Sequence, residues 1–411
     1  MAGVPESKCV IVGASHAGAQ TAMRLRRIGW EGSITLIGDE PRLPYHRPPL
    51  SKDYLKGAKS IGNIQLNPEA AYQKSTIELL LGKRITSIDR GGRKVALSSG
   101  DSLDYDKLVL ATGSNPRALP VPGADLEGVF YLRDADDVDG IRRAIKESRK
   151  AVVIGGGYIG LEAAASLRSL GLDVVVVEAM ERVLQRVTGE TVSDFFTRVH
   201  REEGVDIRVN TAVTAICGDK SVSGIETAEG DFIDADLVII GIGIVPNVEL
   251  AEAAGLVTAN GIEVNQFAQT SDHDIYAVGD CTSFVHPRYQ RKLRLESVQN
   301  ANDQAIAAAK SIFGQPEPYD TIPWFWSDQY DVKLQIAGLA EGADDVIVRG
   351  DVGSGRSASL LYLKDSQLLA VDAINSPRDF VFGKKLIIDN ALLDVSKLSD
   401  ENLPLSEAVR T

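Results

Sequence analysis

Three glycines, at positions 155, 157 and 160, are the residues whose spacing most directly implies chemistry. They stand in Val152-Val-Ile-Gly-Gly-Gly-Tyr-Ile-Gly-Leu-Glu162. In such a turn Gly155 permits the reversal, Gly157 lets backbone approach a pyrophosphate, and Gly160 lets a helix lie against a strand. A helix that starts there offers unpaired N–H groups and the positive end of its dipole to phosphate oxygens. Glu178 closes the following run, Val174-Val-Val-Val-Glu178, and can accept hydrogen bonds from an adenosine ribose. The glycines alone are weak evidence. The elements around them make the pattern specific: a β-branched run before, helix formers from Ala163 to Leu170, Gly171 as a stop, and a second β-branched run.

The same arrangement occurs earlier in degenerate form. Cys9-Val-Ile-Val12 reads as a strand, Gly13-Ala-Ser-His-Ala-Gly18 as the turn, Ala19 to Ile28 as a helix and Ser33 to Ile37 as the second strand. Ser15 stands where the middle glycine belongs, which leaves less room for a phosphate. Gly38 matches Glu178 in position, so Asp39, one residue on, is the expected ribose ligand. Two such units imply two dinucleotides, one per domain.

Between them lies the proline-stiffened loop Pro41 to Gly57, with cations at Arg42, Arg47 and Lys52. It reads either as a cofactor-facing loop or as a solvated one. The buried run Leu103 to Leu110 ends in Ala111-Thr-Gly113, and ligands of open α/β sheets gather at such strand ends. Asp236 to Pro246 and Ile275 to Cys281 read as further buried strands ending in turns. Residues 134–148, 191–204 and 296–312 read as helices. From Trp324 the character changes. Four short runs within 332–374, then a helix from Ser376-Pro377 through Asp389, read as a small antiparallel sheet with a helix.

Composition limits the function. Across 411 residues the net charge is −13, which argues against nucleic acid or an anionic membrane as the main partner. The first eight residues show no signal-peptide apolar core, and no apolar run approaches a membrane span. Cys9, Cys217 and Cys281 are too scattered for a zinc site or a disulfide framework. A cytoplasmic, reducing setting is expected.

These motifs, in this order, resemble the FAD-containing pyridine-nucleotide reductases with two dinucleotide folds, and within them the putidaredoxin/rubredoxin reductase group. The resemblance rests on Leu43-Pro-Tyr-His-Arg-Pro-Pro-Leu-Ser-Lys52, Ala111-Thr-Gly113, the 155–162 turn and Tyr276-Ala-Val-Gly-Asp280. It also rests on Arg294-Leu-Glu-Ser-Val-Gln-Asn-Ala-Asn302 and Pro323-Trp-Phe-Trp-Ser-Asp-Gln329. It implies an α/β protein with two Rossmann-like, three-layer ββα domains and a C-terminal α+β domain. The implied FAD domain comprises residues 1–116 and 247–323, the NADH domain 117–246, and the α+β domain 324–411.

The resemblance further implies that Gly13, Ser15, Ala17 and Gly18 line the FAD pyrophosphate and that Asp39 takes its ribose. Arg47 and Lys52 are implied to lie by the flavin, with Lys52 near N5. Thr112, Gly113 and Arg133 help to hold FAD. Asp280 bonds its ribityl or pyrophosphate part, Val298 approaches the ring, and Trp326 lies at the ring's edge or is a core residue. For NADH the implied set is Gly155, Gly157, Ile159, Gly160, Glu178 and Gly243. Glu162 is implied to lie beside the nicotinamide and to pair with Lys52.

The implied activity is an NADH:ferredoxin oxidoreductase. Electrons pass from NADH through FAD, one at a time, to a [2Fe–2S] ferredoxin that serves a cytochrome P450 or a Rieske ring-hydroxylating oxygenase. The loop Arg47 to Lys52 carries no cysteine, so a thiol exit for electrons is not expected. Hydride transfer needs alignment rather than acid–base work, and no catalytic histidine is expected. His16 and His46 fall in cofactor loops; His200, His273 and His286 read as surface residues. Glu178, aided by Glu181 and opposed by Arg182, favours NADH over NADPH. Arg288, Arg291, Lys292 and Arg294 could steer an acidic iron–sulfur protein or could be a solvated loop. Two alternatives remain: an NADH oxidase or quinone/radical reductase using a small acceptor, and a redox-sensing flavoprotein interaction module.

Overall fold

The computed structural model describes residues 7–410, so most of the N-terminal stretch read for a targeting signal, residues 1–6, lies outside the described residues. The chain divides into two compact units. The first runs as far as His46, then from Ile61 to Asn115 and from Val245 to Thr321. The second comprises Arg47–Ser60, Pro116–Ile244 and Ile322 onward. Residues 47–60 therefore group with the second unit, although residues on both sides of them belong to the first.

The first unit is built on a five-stranded parallel sheet in the order Ile275–Ala277, Lys107–Leu110, Lys8–Val12, Ser33–Gly38 and Ile77–Leu81. Its central strands are buried on both faces, as continuous apolar runs such as Cys9-Val-Ile-Val12 require. The helices His16–Arg27 and Val298–Ile312 supply buried alanines to one face, among them Ala19, Ala22, Ala305 and Ala308. The short alternating runs from Ile77 to Leu97 read by sequence as a small antiparallel section, but Ile77–Leu81 is instead the edge of the parallel sheet, paired with Ser33–Gly38. The antiparallel section itself is confined to Ile85–Asp89, Lys94–Leu97 and Ser102–Asp104.

The second unit repeats the plan. Its parallel order is Asp206–Arg208, Asp173–Val177, Lys150–Ile154, Leu237–Ile240 and Val129–Tyr131. The helix Tyr158–Ser169 follows the central strand and presents Leu161, Ala164 and Leu167 as fully buried residues. The same unit holds a five-stranded antiparallel sheet in the order Trp324–Gln329, Val332–Gly338, Gln367–Ile374, Ala358–Lys364 and Asp345–Gly350. Its first strand was not legible as one, because two tryptophans and a phenylalanine hide the alternation. The helix Pro377–Asp389 takes Pro377 in its first turn and stops at Asn390, which adopts the left-handed conformation that closes helices.

Among the described residues no helix is long and apolar enough to cross a membrane.

Candidate active site

In the first unit three neighbouring parallel strands end together. Gly13 follows one, Ala111-Thr-Gly113 the next, and Val278-Gly-Asp280 the third; Ala111 N–H donates to Val12 and Val278 N–H to Leu110. Gly13 has φ +112°, and a Cβ there would lie 2.1 Å from the Ala111 carbonyl oxygen. A Cβ on Gly18 would lie 1.9 Å from the Gly13 carbonyl oxygen, so both positions exclude a side chain. Ser15 is the extended N-cap of the helix that begins at His16, with Ala17 and Gly18 buried in its first turn. Asp280 accepts a hydrogen bond from the Ser114 hydroxyl at 3.2 Å. Val298 opens the helix capped by Ser297. The Thr112 hydroxyl, by contrast, is committed: it donates to the Asn247 carbonyl at 2.8 Å, and the Asn247 amide returns a bond to the Thr112 carbonyl. Asp39 is exposed just beyond the second strand.

The second unit holds the complete turn. Gly155 has φ +108°, and a Cβ on Gly160 would lie 2.1 Å from the Gly155 carbonyl oxygen. A Cβ on Gly157 would meet nothing within 4 Å. Open space therefore faces the N-terminus of the helix Tyr158–Ser169, a cradle that suits the pyrophosphate of a dinucleotide. Ile159, 46% exposed, presents an apolar side chain beside it. Glu178 is oriented by two backbone amides: Gly156 N–H donates to Oε2 at 2.7 Å and Met180 N–H to Oε1 at 2.9 Å. Arg182 is turned away from any phosphate role, because its guanidinium donates to the Thr188 and Gln185 carbonyls and to the Ser193 hydroxyl. Gly243, φ +102°, lies in the turn that follows the neighbouring strand Leu237–Ile240, and a Cβ there would approach Arg186 at 3.9 Å.

Register explains why the two turns differ. Val12 pairs with Ile37 as Ile154 pairs with Val177, so Gly38 corresponds to Glu178 and Ala14 to Gly156. A Cβ on Gly38 would lie 2.6 Å from the Ala14 Cβ, and one on Gly156 would lie 3.3 Å from the Glu178 Cβ. One side chain fits at this crossing. The first unit spends it on the turn, and its acid moves to position 39.

A third cluster, also in the second unit, centres on Glu162, only 3% exposed. The Lys52 ammonium donates to Glu162 Oε2 at 2.5 Å, and the Ser51 hydroxyl to the same oxygen at 2.6 Å. The Ser327 hydroxyl donates to Oε1 at 2.6 Å. Lys52 also reaches the Pro48 carbonyl at 3.2 Å, and Ser166 ties the Ser51 carbonyl to the helix that carries Glu162. A buried carboxylate needs this degree of pairing, since removing one partner of such a pair is costly. Arg47 donates to the Arg133 carbonyl at 3.0 Å, in the same unit. Trp326, half-buried, has its ring 5.6 Å from that of Trp324. Arg47, Lys52, Arg133 and Trp326, assigned to FAD from sequence, thus belong to the second unit, and the other assigned FAD residues to the first.

Two sequence expectations fail. His200 and His286 are not surface residues; both are fully buried. The His200 Nε2 lies 2.8 Å from Gln329 Oε1, and burial pulls the pKa down to about 4. His286 contacts the Thr321 carbonyl at 3.1 Å. Only His273 of the three is exposed. Ser51, Ser327 and Gln329 lie in segments that carry the resemblance but were given no role from sequence, and Asn247 carried no signal. The basic group is also less free than its composition suggests, because Lys292 pairs with Glu263 at 2.6 Å and Arg294 with Glu296. All three thiols are unfavourable as thiolates: burial pushes Cys9 up to about 12 and raises Cys281, and partial burial raises Cys217.

A family model described as pyridine nucleotide-disulphide oxidoreductase matches residues 7–305, and one described as reductase C-terminal matches residues 324–409. The ferredoxin reductase subunit of 5,5'-dehydrodivanillate O-demethylase from Sphingobium sp. is 43% identical over 407 residues, covering 98% of each chain. Putidaredoxin reductase of Pseudomonas putida is 44% identical over 409 residues, covering 97% of this chain and 96% of that one. The crystal structure of the covalent putidaredoxin reductase–putidaredoxin complex is similar at a TM-score of 0.94, with 44% identity over 98% of both chains.

Proposed function

Because the chain belongs to the pyridine nucleotide-disulphide oxidoreductase family, we propose that it is an NADH-dependent reductase that delivers electrons through FAD to a [2Fe–2S] ferredoxin serving a cytochrome P450 or a Rieske oxygenase. The observation that carries the choice of acceptor is the similarity, along nearly the whole chain and at 43–44% identity, to reductases of ferredoxins; the state of the thiols excludes a thiol exit. The loop Arg47–Lys52 is without cysteine, Cys9 and Cys281 are buried, and burial disfavours the thiolate of all three cysteines. A member of this family without a usable thiol has no thiol exit for its electrons.

Bound FAD would supply the chemistry of accepting a hydride from NADH and releasing single electrons. The chain's own residues provide the rest. Gly13, Ser15, Ala17, Gly18, Asp39, Thr112, Gly113, Asp280 and Val298 hold FAD, with Thr112 acting through its backbone, since its hydroxyl is committed to Asn247. Gly155, Gly157, Ile159, Gly160 and Gly243 hold NADH, and Glu178 takes its ribose hydroxyls. The fixed carboxylate of Glu178 repels a 2′-phosphate, and Arg182 cannot offset this. Lys52, charge-paired with Glu162, carries the positive charge that stabilises reduced flavin. Arg47, Arg133 and Trp326 keep the flavin assignment that the resemblance implies. The scattered, unpaired cysteines support a reducing, cytoplasmic setting.

The test is anaerobic reduction of the holoenzyme by NADH, followed by stopped-flow mixing with a [2Fe–2S] ferredoxin. Rapid, salt-sensitive ferredoxin reduction is expected. Fast turnover with oxygen or quinone and none with ferredoxin would sink the proposal.

A further inference from the structure

The hydrogen bonds at Glu162 continue into the fold in one direction. Phe325, Ser327 and Gln329 alternate along the strand Trp324–Gln329, so they share a face, and Phe325 packs on Tyr158 at the head of the Glu162 helix, ring centroids 4.6 Å apart. Ser327 Oγ to Glu162 Oε1 is 2.6 Å, Gln329 Nε2 to Ser327 Oγ is 3.1 Å, and His200 Nε2 to Gln329 Oε1 is 2.8 Å. The Tyr330 hydroxyl lies 3.1 Å from His200 Nδ1. Glu162, Ser327, Gln329 and His200 are all 3% exposed or less.

The donor inventory fixes every proton in this chain. Glu162 as a carboxylate can only accept, so Ser327 must give it its single proton. Ser327 Oγ must then accept from the Gln329 amide nitrogen. This sets the Gln329 rotamer, leaves its oxygen facing His200, and requires the histidine proton on Nε2. Nδ1 is left to accept from Tyr330. Turning the Gln329 amide over would take the Ser327 proton and set two acceptors 2.6 Å apart. The low pKa of His200 agrees with a neutral ring that donates once and accepts once.

We propose that Ser327, Gln329 and His200 are positioning residues for the Lys52–Glu162 pair: a polarised chain of hydrogen bonds, running from Tyr330 to Glu162, that holds the carboxylate in one orientation and through it the Lys52 ammonium. This rests on the assignment of Lys52 to flavin chemistry. A chain of donors all aimed at one charge strengthens each member. It also offsets the loss of rotamer freedom that a long lysine side chain suffers when held still.

The test uses holoenzyme carrying Ser327→Ala, Ser327→Thr, Glu162→Gln, Lys52→Ala and the Ser327→Ala/Glu162→Gln double variant. Two quantities are read: the rate of flavin reduction by NADH and the midpoint potential of the bound flavin. Ser327→Ala should slow reduction by roughly tenfold, the scale of a lost hydrogen bond to a charged group. It should shift the potential in the same direction as Glu162→Gln. Ser327→Thr, which keeps the hydroxyl, should restore both. In the Glu162→Gln background Ser327→Ala should add nothing, since the bond's acceptor is already altered. Fully additive effects, or wild-type values for Ser327→Ala while Glu162→Gln is impaired, would overturn the proposal. Wild-type values for both Lys52→Ala and Glu162→Gln would instead overturn the Lys52 assignment, and the proposal with it. A readout independent of variant folding is the nitrogen spectrum of wild-type holoenzyme labelled in its histidines, with His200 assigned by its loss in His200→Asn. A neutral ring protonated on Nε2 is expected; the other tautomer, or an imidazolium at neutral pH, would refute it.

Discussion

Glu178 shows how one residue can serve structure and specificity together. Its two oxygens are held by the Gly156 and Met180 amides, so its negative charge is fixed at the end of the strand. Glu178→Arg should therefore shift preference from NADH toward NADPH while costing some stability through the two lost bonds; unchanged coenzyme selectivity in steady-state kinetics would refute the ribose assignment. A different carboxyl governs pH. Asp372 is buried, and desolvation raises its pKa to about 7 even though the Tyr362 hydroxyl donates to it at 2.8 Å. The ordinary carboxylate value is near 4. Between those values the folded state binds the extra proton, so this contribution to stability is complete below about pH 4 and is lost as pH rises through 7. Asp372→Asn should flatten the fall in Tm across that window, which thermal melts from pH 4 to 8 would check. At this scale the sequence assigned residues to which a motif gives a role and passed over their neighbours, such as Ser51 and Ser327. Glu162 and Lys52 were reachable through resemblance. His200 lies in Arg198-Val-His-Arg-Glu202, a polar helical stretch that looks solvent-facing, and its burial comes from a strand more than a hundred residues later.

At the scale of elements, the strand–turn–helix units were legible because glycine is needed there for identifiable reasons, and those reasons differ between neighbouring glycines. Gly157 has ordinary backbone angles and open space ahead, whereas Gly160 is in contact with backbone. Gly157→Val should therefore raise the KM for NADH at least about tenfold, a pyrophosphate-sized obstruction, and leave Tm unchanged. Gly160→Ala should lower stability by about 1–3 kcal/mol, the usual cost of overpacking. Steady-state kinetics and melting curves on the two variants separate these roles; equal losses of Tm would contradict the account. The helices of 296–312 and 376–389 were legible from alanine content and from Pro377. The strand Trp324–Gln329 was not, because its buried face carries Ser327 and Gln329, polar residues that only the Glu162 network explains.

At the scale of the whole molecule, the net charge of −13 means that an acidic ferredoxin approaches against a repulsive field unless a local patch steers it. Arg291 and Lys292 lie on the short strand Arg291–Leu293, and Lys292 is already paired with Glu263. Neutralising Arg291 and Lys292 together should flatten the ionic-strength dependence of ferredoxin reduction; an unchanged slope in stopped-flow would move the docking surface elsewhere. What composition could not reveal is that the chain passes from one unit to the other and back more than once. That interleaving also sets a timetable for synthesis. The strand Lys107–Leu110 waits for Ile275–Ala277 to complete its sheet, and at ribosomal speed this is a delay of roughly ten to thirty seconds. Until then the nascent first sheet presents a bare apolar edge, the kind of surface on which chaperones and misassembly compete.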